Sequence, residues 1–392
     1  MARFARLFLR LTPRPLRDLA IRLIGPLKFA RTFHMLPLHL SIPFERGPET
    51  IREYVPPPPF DAPPPRGFPE QSSYPPQLAS ESQTPDAQRY GVYQIDNGFA
   101  NGGGFVFSSN FNPQPALVHR PQHALLEDKK IAKTVIKCGY LKASTKIPAF
   151  GGTVVSLASR LQNNYYHWML EILCGYRLAT EEIGTPDHVY AQVKNGFQRD
   201  SLEALGVDFD KLISTDDEPI IRAEKLISPI FHHAPGRHYS AGHIAWLRDR
   251  FLPLGQGDGT SPLRIYLSRA NAHARRLLNE AELTSILSQR GFTIIDLAQC
   301  SLAEQVSLFS RAEAVVSPHG AALTNLAFVP TGCKVVELFN GARPDMYYNL
   351  ATVVGADYAY AHGDNYATES KLHDDFVVPA DALVAALTHL NL

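Results

Sequence analysis

Between residues 263 and 339, apolar strand-like runs alternate with helical patterns, and this alternation constrains the fold more than any other feature. "LRIYLS" (263–268) has strand character. "NEAELTSILSQRG" follows as a helix, with Asn279 as N-cap, Glu282 at the third helical position and Gly291 near the stop. "FTIIDLA" is the next strand, and "SLAEQVSLFSRA" a second helix opened by a capping-box pattern, Ser301 to Glu304. "AVVS", a helix after Pro318, and "KVVELF" (334–339) complete the run. Such repeated strand–helix alternation predicts a doubly wound parallel sheet. The tail "FVVPADALVAALTHL" adds a strand-like run and a closing helix, one able to pack back on the preceding domain.

The chain has 392 residues, enough for two domains with their own cores plus appendages. From about residue 87, "YGVYQIDNGFANGGGFVFSSN" reads as short strands joined by Asn-Gly and Gly-Gly turns. Lys133–Tyr140 and Gly152–Ser156 continue as strands, and a helix starts near Tyr165 and runs past Leu178. "DHVYAQV", "LEALGV" and "KLIST" extend the α/β alternation, whereas "EKLISPIFHHAPGRHYSAGH" reads as an irregular exit. The expected architecture is α/β, two facing Rossmann-like domains at 87–240 and 241–392. Ahead of them, residues 46–86 hold 12 prolines, so few ladder donors, and are expected to form an extended linker or strap.

Charge adds a constraint. Lys plus Arg equals Asp plus Glu at 38 each, but residues 1–34 carry eight basic residues against Asp18 alone. The overall balance excludes a globally basic nucleic-acid binder. Within residues 1–45, Leu16, Leu19, Ala20, Leu23, Ile24 and Leu27 fall on one helical face with Arg17, Arg22 and Lys28 between them. A basic amphipathic helix of this kind suits peripheral contact with an anionic membrane face, or docking on the domain. The four cysteines form no C-x-x-C pattern, which points to a reducing, cytoplasmic compartment. No apolar run reaches the length of a membrane span, and arginines interrupt any secretory h-region.

In an open parallel sheet, ligands bind beyond the carboxyl ends of the strands. "VVSPHGAALTN" (315–325) sits at such an end: Gly320 and Ala321 uncover a helix N-terminus where an anion can approach, and His319 can add a donor. Close packing of helix on strand is the plainer reading of those small residues. Arg269, just after "IYLS", and Arg275 and Arg276 beyond it suit phosphate oxygens. Glu337, near the end of its strand, suits the vicinal hydroxyls of a ribose. There is no G-x-G-x-x-G and no Walker sequence. In "NNYYHWMLEI" (163–172), His167 and Glu171 are i and i+4, so the carboxylate can orient the imidazole as a general base.

These stretches, "NNYYHWMLE", "IYLSRANAHARRLLNE" and "VVSPHGAALTNLAFVPTGCKVVELF", resemble glycosyltransferase family 61. That family includes bacterial capsular-polysaccharide enzymes, plant xylosyltransferases and animal protein-O-linked N-acetylglucosaminyltransferases. The resemblance implies a GT-B architecture, a nucleotide-sugar donor (a UDP-sugar by expectation), inversion at the anomeric carbon, a glycan acceptor, and neither metal nor other cofactor. It implies His167 as base with Glu171 behind it, Glu171 itself being the second choice. Asn164 and Tyr166 fall on the acceptor side; Arg269, Arg276, His319, Gly320, Ala321, Asn325 and Glu337 fall on the nucleotide-sugar side. Asn325 is a candidate for the diphosphate or for the domain interface. Glu171 stands where many eukaryotic members carry Asp.

Two patterns invite a metal reading. "DFD" (208–210) is formally a D-x-D, but it follows a helix and Gly206 without the supporting architecture. His232, His233, His238 and His243 lack the i, i+4 pairing of a helical zinc site. A polysaccharide pyruvyltransferase, or a non-catalytic glycan-binding component of an export complex, are the alternatives from other classes.

Overall fold

Six parallel strands carry the half of the chain in which strand and helix alternate. The computed structural model describes residues 49–53, 66–68, 91–107, 146–230, 241–255, 261–270, 275–339, 346–363 and 375–392. Fourteen strands, numbered in chain order, form two sheets among these residues. The second comprises β10 (Leu263–Leu267), β11 (Phe292–Ile295), β12 (Ala312–Pro318), β13 (Lys334–Phe339), β14 (Asp357–His362) and β2 (Arg66–Phe68). Its order is β11-β10-β12-β13-β14-β2, and every pairing is parallel. β12 and β13 are buried over most of their length, as continuous apolar runs in a doubly covered sheet should be.

The first sheet is mixed. Its path is β1 (Glu49–Glu53), β3 (Gly91–Asp96), β9 (Ile220–Ile230), β6 (Ala149–Ser156), β7 (His188–Ala191) and β8 (Leu212–Ser214). β4 (Phe99–Asn101) also pairs with β9 and with β5 (Val106–Phe107). The pairs β6–β9, β6–β7 and β7–β8 are parallel, and β1–β3 and β3–β9 are antiparallel. Asn97, at the expected Asn-Gly turn, has a φ of 52°, the left-handed conformation that Asn tolerates.

Three expectations need correction. The stretch expected to be an irregular exit begins with β9, which spans 11 residues and lies at the centre of its sheet. Ile221 and Ala223 point inward while Arg222 and Glu224 point out, and Pro229 near its end still faces Val92. Second, the Pro-rich segment is more than a linker, because it supplies β1 to one sheet and β2 to the other. Both are edge strands, where missing donors are tolerated. Gly67 in β2 lies opposite Tyr360, and a Cβ there would stand 2.1 Å from that ring. Third, the closing helix Ala380–His389 packs on β14, β2 and the helix Glu280–Gln289, sharing a core with Val316, Val336 and Ala361 rather than with the first sheet. The strand-like run before it makes one bridge, Leu277 to Phe376. The basic segment 1–45, the strand expected at 133–140, Cys138, His232, His233 and His238 lie outside the described residues.

Helices α1 (Tyr165–His167), α2 (Leu173–Ile183), α3 (Gly196–Ala204) and α4 (Ala241–Phe251) accompany the first half. α5 (Glu280–Gln289), α6 (Leu302–Ser310), α7 (Met346–Val354) and α8 (Ala380–His389) accompany the second. One buried apolar cluster runs from Val155 and Ile227 of the first sheet through Trp168, Leu173 and Leu247 to Val315 and Val335 of the second. Among the described residues, no helix is long and apolar enough to cross a membrane.

Candidate functional site

The strand order fixes where a ligand crevice can open. β10 lies between β11 and β12, so the strand order reverses there and a crevice can open between the carboxyl ends of β10 and β12. From β10 the chain exits through Ser268 and Arg269, and from β12 through His319 and Gly320. Arg269 lies directly over Gly320: a Cβ at position 320 would stand 2.3 Å from its Nη1. The φ of Gly320 is 172°, extended backbone open to any residue, so space rather than torsion requires the glycine. What approaches the backbone there is therefore the chain's own guanidinium. The segment that follows, Ala321–Phe328, is a 3-10 helix, so the aligned α-helical dipole expected after Pro318 is absent. Ala321 is only partly buried.

The Arg269 backbone N–H donates to Glu280 Oε1 at 3.0 Å, and the Tyr266 hydroxyl donates to the same oxygen at 2.9 Å. Burial holds the Arg269 guanidinium below the usual arginine range, and the charge of Arg275 pushes the same way. Arg275 has a φ of 57°, which turns it and its successor in different directions. Its guanidinium is likewise held down by burial, with Tyr347 and Glu337 acting against that. Its buried Nε has no hydrogen-bond partner among the described residues. Arg276 departs from expectation. Its Nε and Nη2 donate to Asp375 at 2.9 and 2.6 Å, its backbone N–H donates to the same carboxylate, and the side chain is mostly exposed. Arg275, not Arg276, turns toward Glu337 and Arg269.

His319 is held at Nδ1 and by two neighbouring rings. Its Nδ1 meets Glu337 Oε1 at 2.5 Å, its ring stacks on Phe339 at 5.5 Å, and Tyr347 lies tilted against it at 5.3 Å. Glu337 is fully buried, and its other oxygen accepts from the Tyr358 hydroxyl at 2.5 Å. With both oxygens engaged inside the protein, Glu337 does not face a ribose; it orients His319. Asn325 is also fully buried. Its Oδ1 accepts from the Tyr165 hydroxyl at 2.7 Å, and its Nδ2 donates to Gln305 at 2.9 Å and to the Ala322 carbonyl at 3.2 Å. Its amide ties α1 of the first half to α6 of the second, an interface between packed helices.

Across that interface stands the second histidine–carboxylate pair. Asn164 caps α1 by accepting from the Tyr166 backbone N–H at 3.0 Å, a structural task that also aims the helix. After one α-turn the helix widens into a π-helix over Trp168–Ile172. Such bulges reposition side chains and occur often at functional sites. His167 Nδ1 lies 2.6 Å from Glu171 Oε2, in the i, i+4 relation expected. A carboxylate holding Nδ1–H leaves Nε2 to accept a proton. Tyr166 packs edge-on to His167 at 5.0 Å and to Tyr347 at 5.9 Å, so rings run without a break from His167 through Tyr166 and Tyr347 to His319.

Sequence reasoning missed Tyr347 and Tyr358. It named Arg275 beside Arg276 but carried only Arg276 into the site, since nothing local tells two neighbouring arginines apart. The Asp of "DFD" is a cap: Asp208 accepts from the Asp210 backbone N–H at 3.0 Å and starts a short 3-10 turn. His243 is buried in α4 against the Met169 carbonyl. Among the described residues, no group of three or more His, Cys, Asp or Glu side chains is arranged to hold a metal ion.

Comparison with known proteins gives one family. Residues 165–336 match the model described as Glycosyltransferase 61. Over 126 residues the chain is 36% identical to the protein O-linked-mannose beta-1,4-N-acetylglucosaminyltransferase 2 of Bos taurus, covering 30% of this chain and 22% of that protein. The protein of the same name from Mus musculus is 40% identical over 103 residues, covering 24% of this chain and 18% of the relative. That from Tetraodon nigroviridis is 35% identical over 141 residues, covering 34% and 24%. The matched stretch thus spans less than a quarter of the length of these relatives.

Proposed function

From residue 165 to residue 336 the chain carries a glycosyltransferase 61 domain, and on that premise we propose that it moves a sugar from a nucleotide-sugar to a hydroxyl of a glycan acceptor. The observation that carries this reading is the continuous run of rings joining His319, beside two arginines at a strand switch point, to a histidine–carboxylate pair on the helical segment Tyr165–Ile172. One end suits an anionic leaving group and the other suits a hydroxyl. We take the two sheets as the cores of two Rossmann-like domains of GT-B type, divided near residue 240, with the site between them.

In the proposed reaction the acceptor hydroxyl approaches His167, whose Nε2 takes its proton while Glu171 holds Nδ1–H. The hydroxyl oxygen attacks the anomeric carbon with inversion. Arg269 and Arg275, with His319 beside them, hold the diphosphate and stabilise the charge that develops as it leaves, with no metal in the scheme. Removing His167 should therefore stop chemistry more than binding.

The relatives' names point to N-acetylglucosamine as the first donor to test and to an O-linked mannose as one acceptor class. Surface or capsular polysaccharide, synthesised on the cytoplasmic face of a membrane, is the other. Thermal stability of the purified protein against UDP-, GDP- and CMP-sugars, with EDTA and then with manganese, tests the proposal. Binding at 100 times the dissociation constant adds about 2.7 kcal/mol. A shift for one nucleotide class that survives EDTA is the expected result. Stabilisation by no nucleotide-sugar, or by phosphoenolpyruvate instead, would overturn it.

A further inference from the structure

Glu337 is a fully buried acid with both oxygens engaged, Oε1 against His319 Nδ1 and Oε2 accepting from the Tyr358 hydroxyl. Burying a carboxylate is costly unless it is paired and hydrogen-bonded, and these two partners supply that. Phe339 and Tyr347 prevent the imidazole from turning its Nδ1 away. Nε2 makes no hydrogen bond among the described residues. The ring leaves β12 one residue before Gly320, across which Arg269 lies. The ionisable groups around it are Glu337 from β13, Tyr358 from β14, Tyr347 from α7, and Arg275 and Arg269 from the connection after β10.

We propose that His319 gives a proton to the departing nucleotide phosphate, with Glu337 and Tyr358 as its positioning residues, so that the chain's two histidine–carboxylate pairs have opposite tasks. The inference rests on the transfer reaction proposed above. In that step the acceptor oxygen bonds to the anomeric carbon and its proton goes to His167 Nε2. The bond from that carbon to the phosphate oxygen breaks, its electron pair stays on the oxygen, and the oxygen takes the proton from His319 Nε2. Donation from Nε2 requires the doubly protonated ring, with Nδ1–H kept on Glu337. That requirement separates an acid from a residue that only packs.

Calorimetric titration of the full chain with UDP, and in parallel with GDP, tests it between about pH 7.5 and 9.5, in two buffers of different ionisation enthalpy. Binding to the wild type is expected to take up a proton, and by linkage the affinity then weakens by up to about tenfold per pH unit. His319→Gln should bind without proton uptake. Tyr358→Phe should keep the uptake but shift the pH at which it is lost, and it serves where Glu337→Gln fails to fold. Proton uptake that persists in His319→Gln, or binding to the wild type without any uptake, overturns the inference alone. If neither nucleoside diphosphate binds, the transferase reading falls with it.

Discussion

The two histidine–carboxylate pairs look alike in distance and differ in every other respect. His167 and Glu171 sit four residues apart on one helical segment, and the imidazole keeps 19% of its surface. His319 and Glu337 come from successive parallel strands, with side chains 8% and 0% exposed, and a third residue, Tyr358, completes the arrangement. A pair made by one helix depends on local geometry and can be adjusted by a slip of register, as the π-helix beside it illustrates. A pair made by a sheet cannot move without the core. The first arrangement suits a group that meets a variable acceptor, the second a group that meets an invariant diphosphate.

The strongest way to break that comparison is to remove each imidazole. His167→Ala should lower kcat by about 10²–10⁴-fold, the usual contribution of a general base, with nucleotide affinity unchanged. A loss of nucleotide affinity in His167→Ala would show that the two ends are not separate. Next in size, Arg275→Ala should weaken nucleotide-diphosphate binding by about 1.5–3 kcal/mol, the worth of a hydrogen bond to a charged group. Arg276→Ala, which removes only an exposed pair with Asp375, should change it little. Equal effects, measured by calorimetry, would mean that the turn at Arg275 does not direct its side chain as described.

Stability gives a third comparison. Glu337→Gln should cost about 1–3 kcal/mol in urea unfolding, because a buried network loses a partner, and Glu171→Gln should cost less. The smallest effect is expected for Gly320→Ala. The atom its Cβ would meet belongs to the mobile end of Arg269, so the fold should survive with a stability change below about 1 kcal/mol. Nucleotide affinity should nevertheless fall, because the guanidinium must shift. An unchanged affinity would detach Arg269 from the donor.

How much of this was legible follows the same division between local and distant. The His167–Glu171 pair needed only helix spacing, and the Ser301–Glu304 capping box needed only three residues; both form as expected. The parallel sheet followed from alternation. Asn279 stands at the N-cap as expected, but its side chain makes no capping bond and exchanges two hydrogen bonds with the Val378 backbone, from the far end of the chain. Glu337 was expected to face solvent and ligand because nothing local indicated Tyr358. β9 was hidden because Arg222, Glu224 and Lys225 are exposed and break the apolar run, and a proline lies near its end. α4 was missed although His243, Ile244, Leu247 and Phe251 mark one buried face, since a loop-like stretch precedes it.

The Pro-rich segment has a consequence for handling the protein. Composition reads residues 46–86 as a linker or strap, yet β1 covers the free edge of β3 and β2 covers that of β14. Trimming the chain to the residues that look folded would therefore uncover two rows of unpaired N–H and C=O groups at once. Such rows are templates on which another copy can add a strand. A shortened protein would be expected to associate with itself, and its insolubility would reflect where it was cut rather than a weak core.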